Sequence, residues 1–426
     1  MGKDAGQTVG LPTMFSIVVG SIIGAGIFVL PVSLAPLGWN AAIGWIVSGS
    51  GALCLAFALA KLARGGHGIQ AHIAEKFGAI PAFIAAWGFW CGAWTSGPLL
   101  ALAASAALSR IDPQIDAFIT PLAVAFVIIL TAVNALGIRA AGRMQVLTTA
   151  IKIIPLFAVI LIVLLHVGRG EPLQPMAASP ISLDNIATAA ALTLFAITGF
   201  ENATAPVDKI GNAKRIVPLA MLLGTTFVAL LYLLSSTSVS LLLSSSAVSS
   251  SPAPFADALA SEWGETAVQA AAFCVAVSAF GCLNAGILAC GELTYAMALK
   301  GDLPKLFAHT RKDGTPVYAQ CLSAALGIGL IFLNSSRDTA NLFTFIIRLA
   351  LVGNLYLYLI GTAAALRSTK GAASRILVVV GVAFVLFAFY GAGLEANLWG
   401  LLLIATGLTV RTATRVTRSR RLAQAF

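Results

Sequence analysis

Three ionisable residues, Glu201, Glu292 and Arg348, lie inside long apolar runs of this chain. At the centre of a bilayer each would cost at least about 2.5 kcal/mol, which makes each a functional candidate by default. The chemistry open to them is ligand binding, proton transfer and charge pairing. Bond-making chemistry has no visible constellation, since no nucleophile, base and acceptor site converge in these runs. The six cysteines show no CxxC or Cys/His spacing and read as buried small hydrophobes, and the four histidines are dispersed. No metal and no cofactor is expected.

Two of the apolar runs are broken by glycine. The first carries Gly20-Ser21-Ile22-Ile23-Gly24-Ala25-Gly26-Ile27-Phe28, and the sixth carries Phe195-Ala196-Ile197-Thr198-Gly199-Phe200-Glu201-Asn202. Each glycine weakens a helix by roughly 1 kcal/mol relative to alanine. Non-helical backbone at membrane depth survives only where protein or a wet cavity covers it. Paired interruptions at corresponding places in two halves point to the midplane site of a secondary transporter. At such a break, free amide N–H groups and a positive half-helix end take a carboxylate, while freed carbonyls take an ammonium. An α-amino acid carries both groups. The competing reading is that these glycines only permit close helix packing.

Several roles are open to each ionisable group. Glu201 follows the sixth-run break, where it could stabilise the discontinuity, couple a proton, relay binding to a gate, or simply accept backbone N–H groups. Glu292 lies two turns beyond Asn284 on a similar face. Arg348 keeps its charge and needs an anionic partner, either Glu201, Glu292 or a substrate carboxylate. Trp87, Trp90 and Trp94 follow i, i+3, i+7 spacing. Trp90, Phe195 and Phe28 could wall or gate a site through cation–π contact, or pack against lipid and neighbouring helices.

The elements that must position these residues are membrane helices. The chain is 59% hydrophobic and 10% charged with mean hydropathy +0.94, whereas a soluble protein carries about 25% charged residues. Runs near the ~20 residues that cross a bilayer recur along the sequence. They fall near 11–31, 40–62, 79–107, 117–136, 146–167, 185–205, 216–243, 266–297, 317–334, 340–366, 375–392 and 394–411. The fold class expected is an all-α polytopic membrane protein of about 12 helices, one transporter domain with helices 1 and 6 broken. Repeat one covers 11–167, repeat two 185–366, and two further helices 375–411. No cleavable signal peptide is expected, because the first run is a broken span without a convincing cleavage site.

Placing both termini in the cytoplasm puts 22 of the 26 Lys and Arg on the inner side, Lys152 among them. Arg110, Arg169 and Arg337 fall on outer loops, as the positive-inside rule requires. The net charge of +10 thus reads as a topology signal with anionic-lipid contact, not as a nucleic-acid footprint.

At the two breaks, and at Gly211-Asn212-Ala213-Lys214-Arg215-Ile216-Val217-Pro218, the sequence resembles the amino acid–polyamine–organocation superfamily. Within it the chain is similar to the basic amino acid/polyamine antiporters, especially bacterial arginine/agmatine exchangers. Gly301-Asp302-Leu303-Pro304 and Gly314-Thr315-Pro316 extend the likeness, which covers nearly the full chain. The resemblance implies a leucine-transporter-type fold with a 5+5 inverted repeat, often dimeric, working by alternating access in the bacterial inner membrane. It implies that Ser21, Gly24, Ala25 and Gly26, with Ile22 between them, bind the substrate carboxylate. Backbone of the sixth span, beside Thr198, would take the amino group. Glu201 matches the family's acid in that span and Trp90 an aromatic gate. Phe195 stands where arginine exchangers carry tryptophan, Gly97 where they carry asparagine, Gly286 where they carry another tryptophan, and Arg348 near a serine that contacts substrate. These departures favour a neutral or anionic side chain over a guanidinium.

The expected function is therefore secondary amino-acid transport, by exchange or proton coupling, with an amino acid or amine as the only small-molecule partner. The alternatives are export or uptake of neutral, aromatic or acidic amino acids, and, more remotely, a transport-inactive membrane receptor. A membrane enzyme lacks the residues it would need.

Overall fold

The computed structural model describes residues 10–24, 26–63, 69–135, 138–201, 213–312, 314–333 and 339–423. Among these the regular elements are helices, with no strand. The first span is split into α1 (Leu11–Ile22) and α2 (Gly26–Leu34). It is followed by α3 (Trp39–Ala63), α4 (Ile69–Phe77), α5 (Ala79–Ser109), α6 (Ile119–Ala135) and α7 (Ile138–Arg169). The second half comprises α8 (Leu183–Ile197), α9 (Ala213–Leu242), the short α10 (Ser245–Ser250), α11 (Pro254–Leu299), α12 (Val317–Leu333) and α13 (Thr339–Ser368). Two last helices, α14 (Ala372–Ala392) and α15 (Leu394–Ala423), complete the chain.

Eight helices are long and apolar enough to cross a membrane, and the bent pair Met14–Ile22 and Gly26–Leu37 makes a ninth span. Apolar α8 and α12 are shorter, and α15 begins apolar before its arginines start at Arg411. Together they account for the expected twelve-helix architecture. Local chemistry sets the key ends. α8 starts where the Ser182 hydroxyl accepts the Asn185 N–H at 3.2 Å, with Asp184 in the first turn facing the positive helix end. It stops after Ile197, where Thr198 is extended and Gly199 takes φ +119°.

Lipid tails are as apolar as leucine, so these helices associate chiefly through close packing of small residues. One close seam joins α5 to α13. A Cβ at Gly88 would lie 2.8 Å from the Gly353 carbonyl O, and one at Gly92 would lie 2.6 Å from the Ala350 carbonyl O. Gly44 of α3 presses on Ala189 of α8 in the same way. Outward-facing Ile128, Ile154, Leu164 and Val379 leave an apolar belt for lipid.

Ion pairs fasten the helix ends. Asp302 accepts from Arg411 Nε and Arg415 Nη2, each at 2.8 Å, tying α15 to the turn after α11. At the other end His166 Nε2 lies 2.7 Å from Glu262 Oε1, Arg169 Nη1 donates to Glu262 at 3.3 Å, and Arg110 pairs with Asp257. His166, dispersed in sequence, is thus grouped in space with Glu171 and Glu262. Arg169 pairs with both acids, and the group lies apart from the breaks.

Candidate functional site

The two broken spans touch each other. A Cβ at Gly199 would stand 2.5 Å from the Ser21 carbonyl O and 3.3 Å from Ile22 Cα, and one at Gly26 would stand 3.2 Å from Phe195 Cε1. Gly199 also has a positive φ, which a side chain rarely adopts. Glycine is required there both for its conformation and for the approach of the first span.

A cavity of about 170 Å³ lies at this junction. Ser21, Ile22, Gly24 and Gly26 line it from the first span, and Phe195, Thr198, Gly199 and Glu201 from the sixth. Helix α5 contributes residues from Phe89 to Leu100, α11 contributes Cys282 to Ala289, and α13 contributes Asn354. Ala25 lies outside the described residues, as does the sixth span beyond Glu201.

The helix ends give the cavity its electrostatics. Carbonyls freed where α1 stops carry partial negative charge, and amides at the start of α2 carry partial positive charge. Other helices hold several of those carbonyls. Tyr232 of α9 donates its hydroxyl to Ile22 O at 3.1 Å, and the Cys282 thiol of α11 donates to Ile23 O at 3.4 Å. Lys152 of α7 reaches Gly20 O at 3.5 Å and Cys282 Sγ at 3.2 Å, and is fully buried. The amide end at α2 is polarised to take an anion, and the carbonyl-rich ends of α1 and α8 a cation.

Glu201 closes the second break. Its two carboxylate oxygens accept the Gly199 N–H at 3.0 and 3.1 Å, and Tyr358 of α13 donates its hydroxyl to Oε2 at 3.0 Å. Phe200 stacks on the Tyr358 ring, with centroids 5.6 Å apart. Thr198 donates its hydroxyl to Phe195 O at 2.6 Å. The acid therefore braces the discontinuity and faces the cavity at once. Asn354 is 6% exposed, and its buried Oδ1 has no donor among the described residues. An acceptor placed this way in a cavity wall is available to a ligand ammonium.

The other sequence candidates fall around this centre or away from it. Gly286 lines the main cavity and also a smaller one of about 20 Å³, where Gly97 joins it. Trp90 does not line the main cavity, because its indole N–H donates to Ser323 of α12 at 3.1 Å and its ring packs between Trp87 and Trp94. Phe28 pairs edge-on with Phe255, centroids 5.2 Å apart, as a buried wall at the start of α11. Arg348 faces the α14–α15 turn. Its guanidinium lies beside Gly393 and interacts with Glu395, so neither Glu201 nor Glu292 is its partner. Glu292 is exposed on α11, outside both cavity linings.

Sequence reasoning missed Lys152, Tyr232, Tyr358 and Asn354. Lys152 carried a usable signal, because a lysine 14 residues into a helix that starts at Ile138 sits well away from the helix end. The tyrosines and the asparagine are single polar residues in apolar helices and carry none.

Residues 9–408 match the amino acid permease family. Over 96% of its length the chain is 24% identical to the putrescine transporter PotE of Escherichia coli K12, covering 97% of that protein. It is 26% identical to the putrescine transporter PotE of Haemophilus influenzae, over 92% of this chain and 93% of the relative. It is also 28% identical to a cadaverine/lysine antiporter of Escherichia coli K12, over 79% of this chain and 78% of the relative. The family match runs through both breaks and every helix that lines the cavity. This chain belongs to the amino acid permease family, whose members here are membrane transporters and not enzymes.

Proposed function

We propose that the protein exchanges amino acids or amines across the bacterial inner membrane by alternating access, with the substrate's charged groups held at the two touching breaks. The observation that carries this reading is the contact of Gly199 with Ser21 beside a cavity where helix ends of opposite polarity meet. Antiport is supported by the cadaverine/lysine antiporter among the relatives. In this reading the carboxylate lies on the amides near Gly24 to Gly26. The ammonium lies near the α1 and α8 carbonyls and Asn354. The two repeats, 11–167 and 185–366, are of inverted topology, and both termini face the cytoplasm, which the lysine and arginine distribution supports. Glu201 couples occupancy to movement because it holds Gly199 and Tyr358 together. Proton-coupled uptake is the second reading, favoured by a carboxylate at the break.

Proteoliposomes preloaded with unlabelled amino acids or diamines test the proposal. Exchange predicts uptake of label only into loaded vesicles, and proton coupling predicts uptake into empty vesicles under a pH gradient. Folded protein that moves no compound under either condition would overturn both readings.

A further inference from the structure

Resting on the carrier reading, we propose that this site selects amino acids with an uncharged, apolar side chain, seated against Gly286 with its tip in the smaller cavity. The two cavities share Ala93, Leu100 and Gly286, so the smaller one continues the larger one away from the breaks. Its walls include Val127, Leu283 and Ile287, all buried. A Cβ built at Gly286 meets nothing within 4 Å, so open space stands where most side chains would put atoms.

Charge decides against the alternatives. Among the described residues lining either cavity, Glu201 is the sole carboxylate, and it already holds the Gly199 N–H and the Tyr358 hydroxyl. It also sits at the break, where the substrate's own ammonium belongs, and not at the far end. Lys152 lies behind Cys282 and directs its amine to the Cys282 sulfur and the Gly20 carbonyl, so it lines neither cavity. A distal ammonium or guanidinium would therefore be desolvated without a partner. An acidic side chain fares no better, because among the described residues no lysine or arginine lines the pair of cavities and Arg348 faces Glu395. An aliphatic or aromatic side chain loses nothing on entry and gains by leaving water. The site thus differs in kind from what a diamine requires at its second end.

Counterflow into proteoliposomes with each labelled compound in turn tests this. The panel is alanine, leucine, isoleucine, phenylalanine, lysine, glutamate, putrescine and cadaverine, run on the unmodified protein and on Gly286→Leu. For the unmodified protein, leucine, isoleucine and phenylalanine are expected to exceed lysine, glutamate and both diamines by at least ~100-fold in initial rate over concentration. In Gly286→Leu, alanine is retained while leucine and phenylalanine fall by ~10-fold or more. Preference for lysine, glutamate or a diamine overturns the inference and leaves the carrier reading standing. Equal loss of all substrates in folded Gly286→Leu overturns the subsite. No transport of any compound by folded unmodified protein sinks the carrier reading itself. Should Gly286→Leu fail to fold, the panel on the unmodified protein decides, with Gly286→Ala as the milder variant.

Discussion

Gly199→Ala isolates the contact on which the site rests. Two penalties add. A residue with a side chain at φ +119° is held in a sparsely populated region, at about 1–3 kcal/mol. The new Cβ would also lie 2.5 Å from the Ser21 carbonyl O and 3.0 Å from its carbon. Those are backbone atoms, so no side chain can rotate away and the two breaks must separate, an overpacking cost of about 1–3 kcal/mol. The total is about 2–6 kcal/mol, and because it falls on the interface between α1 and α8 it acts first on the site. We expect counterflow to fall by ~30-fold or more and the thermal unfolding midpoint to drop. Gly286→Ala is the matched control, since the same added methyl group meets nothing within 4 Å. It should keep its midpoint and the counterflow of alanine. Wild-type counterflow and midpoint in Gly199→Ala would refute the reasoning, because they would mean that the two breaks do not touch as described.

Glu201→Gln replaces one acceptor oxygen by an NH2 group and keeps one acceptor for Gly199 N–H or Tyr358, a loss of about 1–3 kcal/mol. Exchange should fall by ~10-fold or more while size-exclusion profiles stay monodisperse; equal loss of expression and exchange would make the acid purely structural. Lys152→Met deletes a fully buried ammonium held by one backbone carbonyl and one sulfur. Because burying that charge is costly, the unfolding midpoint should hold or rise while turnover drops by ~10-fold; unaltered turnover would place Lys152 outside the working machinery. Arg348→Ala should leave the ranking of substrates in competition assays unchanged within about twofold, since the guanidinium faces Gly393 and Glu395; a reordered ranking would put it in the pocket.

The membrane class and the broken helices were legible because both arise from local sequence. Apolar length reports a span, and glycine at Gly24, Gly26 and Gly199 reports where a helix stops. Glu201 could be singled out because an acid at membrane depth is costly wherever it points. What the sequence left open was direction. The i, i+3, i+7 spacing of Trp87, Trp90 and Trp94 defines a face but not its neighbour, and α12 and α15 receive it. Arg348 announced a need for an anion, yet its partner sits 47 residues away at Glu395, on a helix that sequence separates from the site. A span that starts near 146 makes Lys152 a membrane-surface cation, but the helix begins at Ile138 and carries it inside.

The glycine seam between α5 and α13 bears on how such a molecule moves. At Gly88, Gly92 and Gly353 the two backbones meet, and the side chains of Tyr356 and Asn354 fill the notches that Gly88 and Gly92 leave. Separating such faces, or sliding one along the other, forfeits close contacts, because each of these side chains sits in a notch that fits it. The seam resists both opening and shear, which favours movement of α5 and α13 as one body. Asn354 and Tyr358 ride on that body, so a small displacement of it would carry an acceptor of the cavity and the brace of Glu201 together, like two teeth on one rack.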